Sequence, residues 1–271
     1  MRDTSSPRSI LRSIWTRRPS TSRNRPLRSD RPESTLPRRT GKDSTKPSRR
    51  PVSYPVTFES GSLPRTLFFV GIGLLAAHTI LSVIHYEFHR LPWLLRQLFD
   101  LDEENNLPTW YSSLALFITS IFLWLCALEK QATDDLWNRH WKILALGFFV
   151  LSIDEVAGMH ETFNSVVEIN WAIPGGLLAV VIGFLFMPFL LSLERQTAKL
   201  FVLSGVIYVG GAIGVELLAA PLRVDSLQYY LMTLWEEGME MIGVVLFLYA
   251  LLRYMSGQHR NQLKVIATVT D

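Results

Sequence analysis

The sequence predicts an all-α fold: a bundle of about six transmembrane helices that follows a polar, basic N-terminal tail. Apolar stretches of about twenty residues, the length that the hydrocarbon core of a bilayer requires, recur from residue 66 almost to the end of the 271-residue chain. Tryptophans lie at or near the ends of these stretches, as membrane–water interfaces favour: Trp93, Trp110, Trp141, Trp171 and Trp235. Positive charge is concentrated in the tail and in alternate loops, which predicts an orientation across the membrane.

The N-terminal tail, residues 1–64, consists largely of Arg, Ser, Pro and Thr. Such a segment buries too little apolar surface to offset the conformational entropy lost on folding, so we expect it to be disordered. Two roles fit its charge: a solvated tail, or a segment that contacts the anionic lipid headgroups of the bilayer. We do not expect it to bind nucleic acid, because no recognition motif or pattern of aromatic residues accompanies the basic residues.

The transmembrane domain is predicted over residues 65–255, and a short cytoplasmic tail over 256–271. Its six spans are predicted at 66–86, 110–128, 141–160, 172–193, 200–220 and 228–252. In the fifth span, Gly210 and Gly214 are small residues four positions apart, which predicts close packing against another helix.

Charged residues in the loops predict which side of the membrane each loop occupies. Loops 129–140 and 193–199 carry Lys and Arg, as do both tails, whereas 161–171 has neither and 87–109 is rich in acids. Because basic loops stay in the cytoplasm, we predict a multi-pass protein of the cell inner membrane with both termini cytoplasmic. Within the acidic loop, segment 91–101 alternates apolar and charged positions, which predicts an interfacial helix on the outer surface.

Ionisable side chains inside the spans mark the candidate site, because such groups are costly in a bilayer and usually face the interior of a bundle. The first span carries His78, His85 and His89, which lie within roughly 40° of arc if the helix is continuous. His85 and His89 also have the i, i+4 spacing with which one helical face presents two imidazoles to a metal ion.

The end of the third span supplies acids and a further histidine. Asp154 and Glu161 are seven residues apart and share one face of a continuous helix. Glu155 and His160 point elsewhere unless Gly158 breaks the helix, and membrane helices tolerate glycine.

The sixth span adds three glutamates inside an apolar segment. Glu236 and Glu240 are i, i+4 neighbours, and Glu237 lies about 60° from Glu240 around the helix. At about 1.5 Å per residue, Asp154, His78 and Glu240 each lie roughly 10–18 Å below the outer surface. We therefore expect imidazoles and carboxylates to meet in one layer of the extracytoplasmic half.

Imidazoles opposite carboxylates form a mixed nitrogen and oxygen ligand set, which suits a divalent transition metal such as zinc, iron or manganese. No Lys or Arg lies among these groups to balance their charge, which leaves protons, a metal ion or another cation as the counterion. The predicted metal ligands are His78, His85, His89, Asp154, His160 and Glu236. The predicted catalytic acids or bases are Glu240, Glu237 and Glu161.

Three functions fit this pattern. The first is a membrane-embedded, metal-dependent enzyme, a hydrolase of a lipid or another amphipathic substrate at the outer leaflet. The second is a proton- or cation-coupled transporter or channel that uses the same carboxylates. The third is a structural or assembly subunit whose polar layer holds its helices together.

Three strings resemble signatures of a family of uncharacterised multi-spanning bacterial membrane proteins. They are FDLDEENNLPTWYSS (99–113), SIDEVAGMHE (152–161) and EEGMEMIG (236–243). The resemblance covers about residues 66–255 and leaves out the tail. It implies an integral membrane protein and no known activity.

Overall fold

The computed structural model describes residues 52–58, 61–167, 169–223, 226–258 and 263–269. Within these ranges the helices are α1 (Ser62–Val83), α2 (Trp93–Phe99), α3 (Leu107–Ala132), α4 (Asn138–Ala157), α5 (Met159–Val167), α6 (Ala172–Ser192), α7 (Arg195–Val209), α8 (Glu216–Ala219) and α9 (Leu227–Gln258). The strands are β1 (Val52–Phe58) and β2 (Leu263–Val269). Two π-helical segments, Ile84–Phe88 and Gly210–Val215, continue α1 and α7.

The helices form the predicted membrane bundle. In the described part of the chain, five helical stretches are long and apolar enough to cross a membrane: Ser62–Phe88, Leu107–Ala132, Ala172–Ser192, Arg195–Ala219 and Leu227–Gly257. A sixth helix, α4, has 20 residues and is therefore about 30 Å long, but it carries charged residues near both ends. The prediction of an all-α, multi-pass membrane protein is confirmed.

Serine hydroxyls join α4 to α3. Ser113 Oγ on α3 donates a hydrogen bond to the Ser152 carbonyl at 2.8 Å, and Ser152 Oγ donates to the Ser113 carbonyl at 2.9 Å. Farther along, Ser120 Oγ donates to the Ala145 carbonyl at 2.9 Å, so the two helices run antiparallel. Because such hydrogen bonds hold helices together in lipid, α4 belongs to the bundle as a sixth long helix.

The central helix is α9, which packs against α1, α3, α7 and the π-helical segment Gly210–Val215. We call the end of the bundle where α1 begins and α9 ends the tail side, and the opposite end the far side.

Buried aromatic rings fill the tail side. Trp141 and Phe189 meet edge to face with 5.0 Å between ring centroids, and Phe201 stacks on Phe247 at 4.4 Å. This half of the bundle is therefore a close-packed, apolar core.

The two strands pair antiparallel, in a register that runs from Val52↔Val269 to Phe58↔Leu263. Because β1 precedes α1 and β2 follows α9, the pairing brings both ends of the bundle to one side, which an even number of crossings requires. The strands fall within the segments predicted to be a disordered tail and a short C-terminal tail, and α1 begins at Ser62. Branched and aromatic residues in both segments favour strands. Residues 1–51, 59 and 60 of the predicted tail lie outside the described residues.

Three long helices are irregular in the far-side half. α4 ends at Gly158, whose φ of 53° and ψ of 41° are left-handed, and α5 begins at the next residue. α1 ends in the π-helical segment Ile84–Phe88, and α7 passes into Gly210–Val215 before α8. The predicted third span, 141–160, therefore extends past the end of α4 at Ala157. The predicted first span, 66–86, is shorter than the helical stretch Ser62–Phe88. Single π-helical turns within α-helices frequently occur at functional sites.

The short helix α2 lies between the first two spanning helices. Trp93, Leu94 and Leu98 on its surface are exposed, whereas Arg96 donates a hydrogen bond to the Tyr230 hydroxyl on α9 at 2.9 Å. A short helix with one apolar exposed face and one polar anchored face suits a membrane interface. It occupies the segment for which the sequence predicted such a helix.

Candidate functional site

Acids from α4 and α9 meet inside the far-side half of the bundle. Glu155 on α4 and Glu240 on α9 line the same small cavity, and the charge of Glu155 acts on both Glu237 and Glu240. Glu237 and Glu240 are three residues apart, so one face of α9 presents both. Three carboxyl groups therefore share one polar layer between two long helices. We call Glu155, Glu237 and Glu240 the carboxylate cluster.

A tyrosine from a third helix completes the layer. Tyr208, near the end of α7, donates a hydrogen bond from its hydroxyl to the Glu240 carboxylate. Tyr208 reaches Glu240 because α7 and α9 pack closely. A Cβ atom on Gly243 of α9 would stand only 2.8 Å from Tyr208 Cβ, and one on Gly211 would stand 2.7 Å from the Glu236 carbonyl oxygen. Glycine at both positions therefore lets α7 and its π-helical segment touch α9.

A small cavity borders the cluster on the side of α3. Its volume is about 10 Å³, which is close to the room that one water molecule needs. Its lining residues are Tyr111, Ser112, Ala115, Leu116, Glu155, Tyr208, Glu240, Met241 and Val244. The side chain of Ser112 is buried beside Glu155 and is a hydrogen-bond partner of its carboxyl group. Hydroxyl groups from α3 and α7 thus bond to the two acids that line the cavity.

The cluster has little positive charge around it. The strongest charge interactions of Glu237 are with other acids, and for Glu155 the one strong attractive partner is the His160 imidazole. Several carboxylates cannot be buried together in a low dielectric unless something neutralises them. The arrangement therefore requires bound protons or a bound cation.

Asp154 and His160 form a pair across the break between α4 and α5. His160 Nδ1 lies 3.1 Å from Asp154 Oδ2, and the His160 backbone N–H donates to Asp154 Oδ1 at 3.2 Å. The ring of His160 also packs against Trp171, with 5.2 Å between centroids. Asp154 thus accepts a backbone hydrogen bond at the start of α5, and the pair is half-buried beside the carboxylate cluster.

The histidines of the first span lie elsewhere. His78 Nδ1 accepts the Leu101 backbone N–H at 3.1 Å, and Nε2 lies 3.4 Å from the Tyr230 carbonyl oxygen, to which it donates in the Nε2–H tautomer. His85 Nδ1 accepts the Leu91 backbone N–H at 3.0 Å. These bonds occupy the nitrogen lone pair of His78 and one nitrogen of His85, and both rings serve to anchor the segment that follows α1.

The predicted metal ligands are therefore not assembled as a set. Among the described side chains, no three of His, Cys, Asp or Glu lie close enough together to hold a metal ion. Of the six predicted ligands, Asp154 and His160 contact each other, and the exposed His89 follows the last turn of the first helix in an extended conformation. The side chain of Glu161 lies outside the described residues. Binding of zinc, iron or manganese stays a prediction.

The segment between α2 and α3 covers the far-side end of the bundle. The Tyr229 hydroxyl on α9 donates to Asp102 at 2.8 Å, and Arg96 Nη2 lies 3.4 Å from Asp100 Oδ2. Partial burial alone would lower the pKa of Arg96, but the neighbouring tyrosines and Asp100 raise it on balance. The Glu104 carboxylate lies over Gly158, where a Cβ atom would be 2.6 Å from its oxygens. This cover thus contacts both α9 and the break after α4.

Comparison with known proteins identifies a family but no activity. The profile of a domain of unknown function, DUF8692, matches residues 66–254, which is more than two thirds of the chain. The chain belongs to the DUF8692 family. Searches of curated proteins and of solved structures found no match. The match confirms the resemblance to a family without known activity, and the whole carboxylate cluster lies within the DUF8692 region.

The sequence pattern missed three residues of this candidate site. Glu155 was expected to point away from its neighbours, and Ser112 and Tyr208 were not singled out. Glu155 precedes the break at Gly158 and lies on the regular part of α4, so the available signal was an ionisable residue inside a predicted span. For Ser112 and Tyr208 the sequence contains no signal beyond a polar group inside an apolar span.

Proposed function

We propose that this chain is a proton- or cation-coupled membrane transport protein and that the carboxylate cluster with Tyr208 is its binding site. One observation carries the proposal: Glu155, Glu237 and Glu240 come together from two long helices with no described Lys or Arg among their strongest charge partners. Intramembrane carboxylates without a basic partner are typical of ion pathways and proton relays.

The helix irregularities support transport. Transport proteins commonly bind their ions where transmembrane helices are interrupted, because freed backbone groups and mobile segments lie there. Here α4 is interrupted at Gly158, three residues after Glu155, and the π-helical segment Gly210–Val215 packs against α9 at Glu236 and Glu240. Both interruptions thus border the cluster.

Access to the cluster differs between the two sides. On the far side, the charge of Glu236 interacts with those of Asp102 and Glu216, and Glu236 and Asp102 in turn interact with Glu237. On the tail side, the buried aromatic core and the fully buried Leu248 and Leu251 of α9 separate the cluster from the other surface. An ion that enters from the far side therefore needs a rearrangement to leave on the tail side, which favours a carrier over an open channel.

The loop charges give this carrier an orientation. Lys130 and Arg139 lie on the tail side, and the acidic segment 100–106 lies on the far side. Under the positive-inside rule the tail side faces the cytoplasm, so the cluster loads from outside the inner membrane. The basic N-terminal residues would then lie near the anionic lipid headgroups of the cytoplasmic leaflet.

A metal-dependent membrane hydrolase is the second candidate. The observation in its favour is the Asp154–His160 pair, which stands beside Glu155 and provides the acid–base groups that hydrolysis uses. The hydrolase ranks second because two predicted metal ligands are engaged elsewhere: the lone pair of His78 and one nitrogen of His85 already accept backbone hydrogen bonds.

Reconstitution into proteoliposomes tests the proposal. We expect the purified full chain to dissipate an imposed proton or cation gradient, and Glu240→Gln to reduce this flux to the level of protein-free vesicles. The matched control is Glu194→Gln, which removes an exposed carboxylate at the tail-side start of α7 and should leave the flux unchanged. Wild-type protein that folds, inserts and moves no ion across a range of pH and of alkali salts would refute transport.

A further inference from the structure

Two basic residues lie one helical turn inside the bundle at its tail-side end. Lys199 stands four residues after the start of α7, and Arg253 stands five residues before the end of α9, so each is about 6–8 Å inside its helix. Both side chains are exposed. Basic residues that only set the orientation of a membrane protein are found in its loops, whereas a cation inside a span normally pairs with an anion.

A hydrogen bond brings the charges of the two helices together. Arg253 Nη2 donates to the side-chain oxygen of Gln196 on α7. Gln196 and Lys199 are three residues apart, and Arg195 and Lys199 are four apart, so all three are neighbours on the surface of α7. Because Gln196 is neutral, this contact holds Arg253 in place without balancing its charge. We call Arg195, Lys199 and Arg253 the basic patch.

The basic patch lacks a counter-ion of its own. In the described part of the chain, no carboxylate forms an ion pair with any of its three side chains. Glu194 precedes Arg195 in the chain, but it is exposed and takes part in no described ion pair either. Lys130 at the same end of the bundle differs, because its Nζ lies 3.7 Å from Asp135 Oδ2.

An apolar surface continues from the basic patch along α7. Val202 and Val206 follow Lys199 by three and seven positions, so they lie with Arg195 and Lys199 within about 60° of arc. These valines are 48% and 63% exposed. One stripe of α7 is therefore basic at the level of the lipid headgroups and apolar toward the middle of the bundle. A phospholipid has the same order, a charged headgroup followed by acyl chains.

We propose that the basic patch binds the headgroup phosphate of an anionic phospholipid in the tail-side leaflet, with an acyl chain along the exposed stripe of α7. Basic pockets between transmembrane helices bind such headgroups in other membrane proteins. A zwitterionic lipid fits less well, because its headgroup brings a cation of its own into the patch. The apolar stripe favours a lipid over a free phosphate ion. This site is separate from the carboxylate cluster in the far-side half and does not depend on transport.

Native mass spectrometry of the detergent-purified full chain tests the proposal. Phosphatidylglycerol and phosphatidylcholine with identical acyl chains are titrated separately, and the lipid-bound fraction gives each Kd. We expect phosphatidylglycerol to bind about tenfold more tightly, and Lys199→Gln and Arg253→Gln each to weaken its binding about fivefold. Lys199→Arg keeps the charge and should bind as the wild type does. The matched control is Arg223→Gln, which removes an exposed cation on the far side and should change nothing.

Four outcomes would overturn the lipid site. The first is equal binding of the two lipids by the wild-type chain. The second is wild-type binding of phosphatidylglycerol by the double variant Lys199→Gln with Arg253→Gln. The third is an equal loss in Arg223→Gln, since the chain would then respond to net charge rather than to the patch. The fourth is inorganic phosphate that binds as tightly as phosphatidylglycerol. The melting temperature of each lipid-free variant checks that it is folded.

Discussion

The hydroxyl of Tyr208 on α7 donates a hydrogen bond to the carboxylate of Glu240 on α9 inside the far-side half of the bundle. The contact joins two long helices at a half-buried acid whose other strong charge partners are acids. Removing the hydroxyl would leave Glu240 without its donor, and the cavity beside both residues would lose one of its oxygens. Structure and proposed transport thus depend on the same contact.

Tyr208→Phe should impair both stability and transport. The ring still fills its place, but the half-buried Glu240 carboxylate loses a hydrogen bond, which costs about 1 kcal/mol of unfolding free energy. Flux in proteoliposomes should fall, and its pH dependence should shift, because Glu240 then binds its proton in a changed environment. Tyr249→Phe, on the more exposed surface of α9, is the control. A Tyr208→Phe protein with wild-type flux and an unchanged pH profile would remove Tyr208 from the site.

Gly243→Ala should separate α7 from α9. The added methyl group would meet the backbone nitrogen of Tyr208 at 2.9 Å and its Cα at 3.0 Å, and backbone atoms give way only if a helix moves. We expect a loss of about 1–3 kcal/mol, as for other overpacked sites, together with reduced flux. Gly257→Ala on the same helix has nothing within 4 Å of its added Cβ and should be neutral or slightly stabilising. Equal melting temperatures for the two variants would contradict the close packing.

The spacing of residues predicted the bundle and the face of α9 that carries Glu237 and Glu240, because a continuous helix keeps about 100° per residue. The same assumption was wrong for the first span. A π-helical segment, Ile84–Phe88, changes the angular spacing after His78, and His89 is extended, so the three histidines do not form one helical stripe. Irregular backbone of this kind has no marker in a single sequence.

Two other features show the same limit. Gly210 and Gly214 were predicted to make the close helix contact. A Cβ on Gly210 would stand 3.0 Å from the end of the Met239 side chain on α9, but nothing lies within 4 Å of one on Gly214, and the tightest positions are Gly211 and Gly243. The π-helical turn rotates the face that α7 presents, which the sequence spacing could not anticipate. Pairing of β1 with β2 joins residues more than two hundred positions apart, and strand pairing at that distance is not visible in local pattern.

The strand pairing predicts a disulfide. Thr57 and Lys264 are register partners, and cysteines at directly opposed antiparallel positions have Cβ atoms about 4.5–5.5 Å apart. Thr57→Cys with Lys264→Cys, in a Cys126→Ser background, should form an intramolecular disulfide in purified protein treated with oxidant. Thr57→Cys with Thr268→Cys is the mismatched control, since Thr268 pairs with Ser53. Cross-linking of the mismatched pair alone would contradict the register and weaken the argument for six crossings.

His78→Ala should destabilise the chain without affecting any bound metal. His78 is 2% exposed and accepts the Leu101 N–H, so its loss leaves a buried donor unpaired and costs about 1–3 kcal/mol. Thermal unfolding checks the stability, and elemental analysis of protein purified without chelator checks the metal content. His89→Ala, which removes an exposed imidazole, is the control. A near-stoichiometric metal that disappears in His78→Ala would instead favour the metal-dependent enzyme.

The most direct test of the carboxylate cluster is ion flux by Glu155→Gln, Glu240→Gln and the double variant in proteoliposomes. If acids from α4 and α9 form one binding site, each single variant abolishes flux and the double variant is no worse than either. All three proteins must first show wild-type insertion and a cooperative unfolding transition. Wild-type flux in Glu155→Gln, with loss only in Glu240→Gln, would contradict a site shared between the two helices.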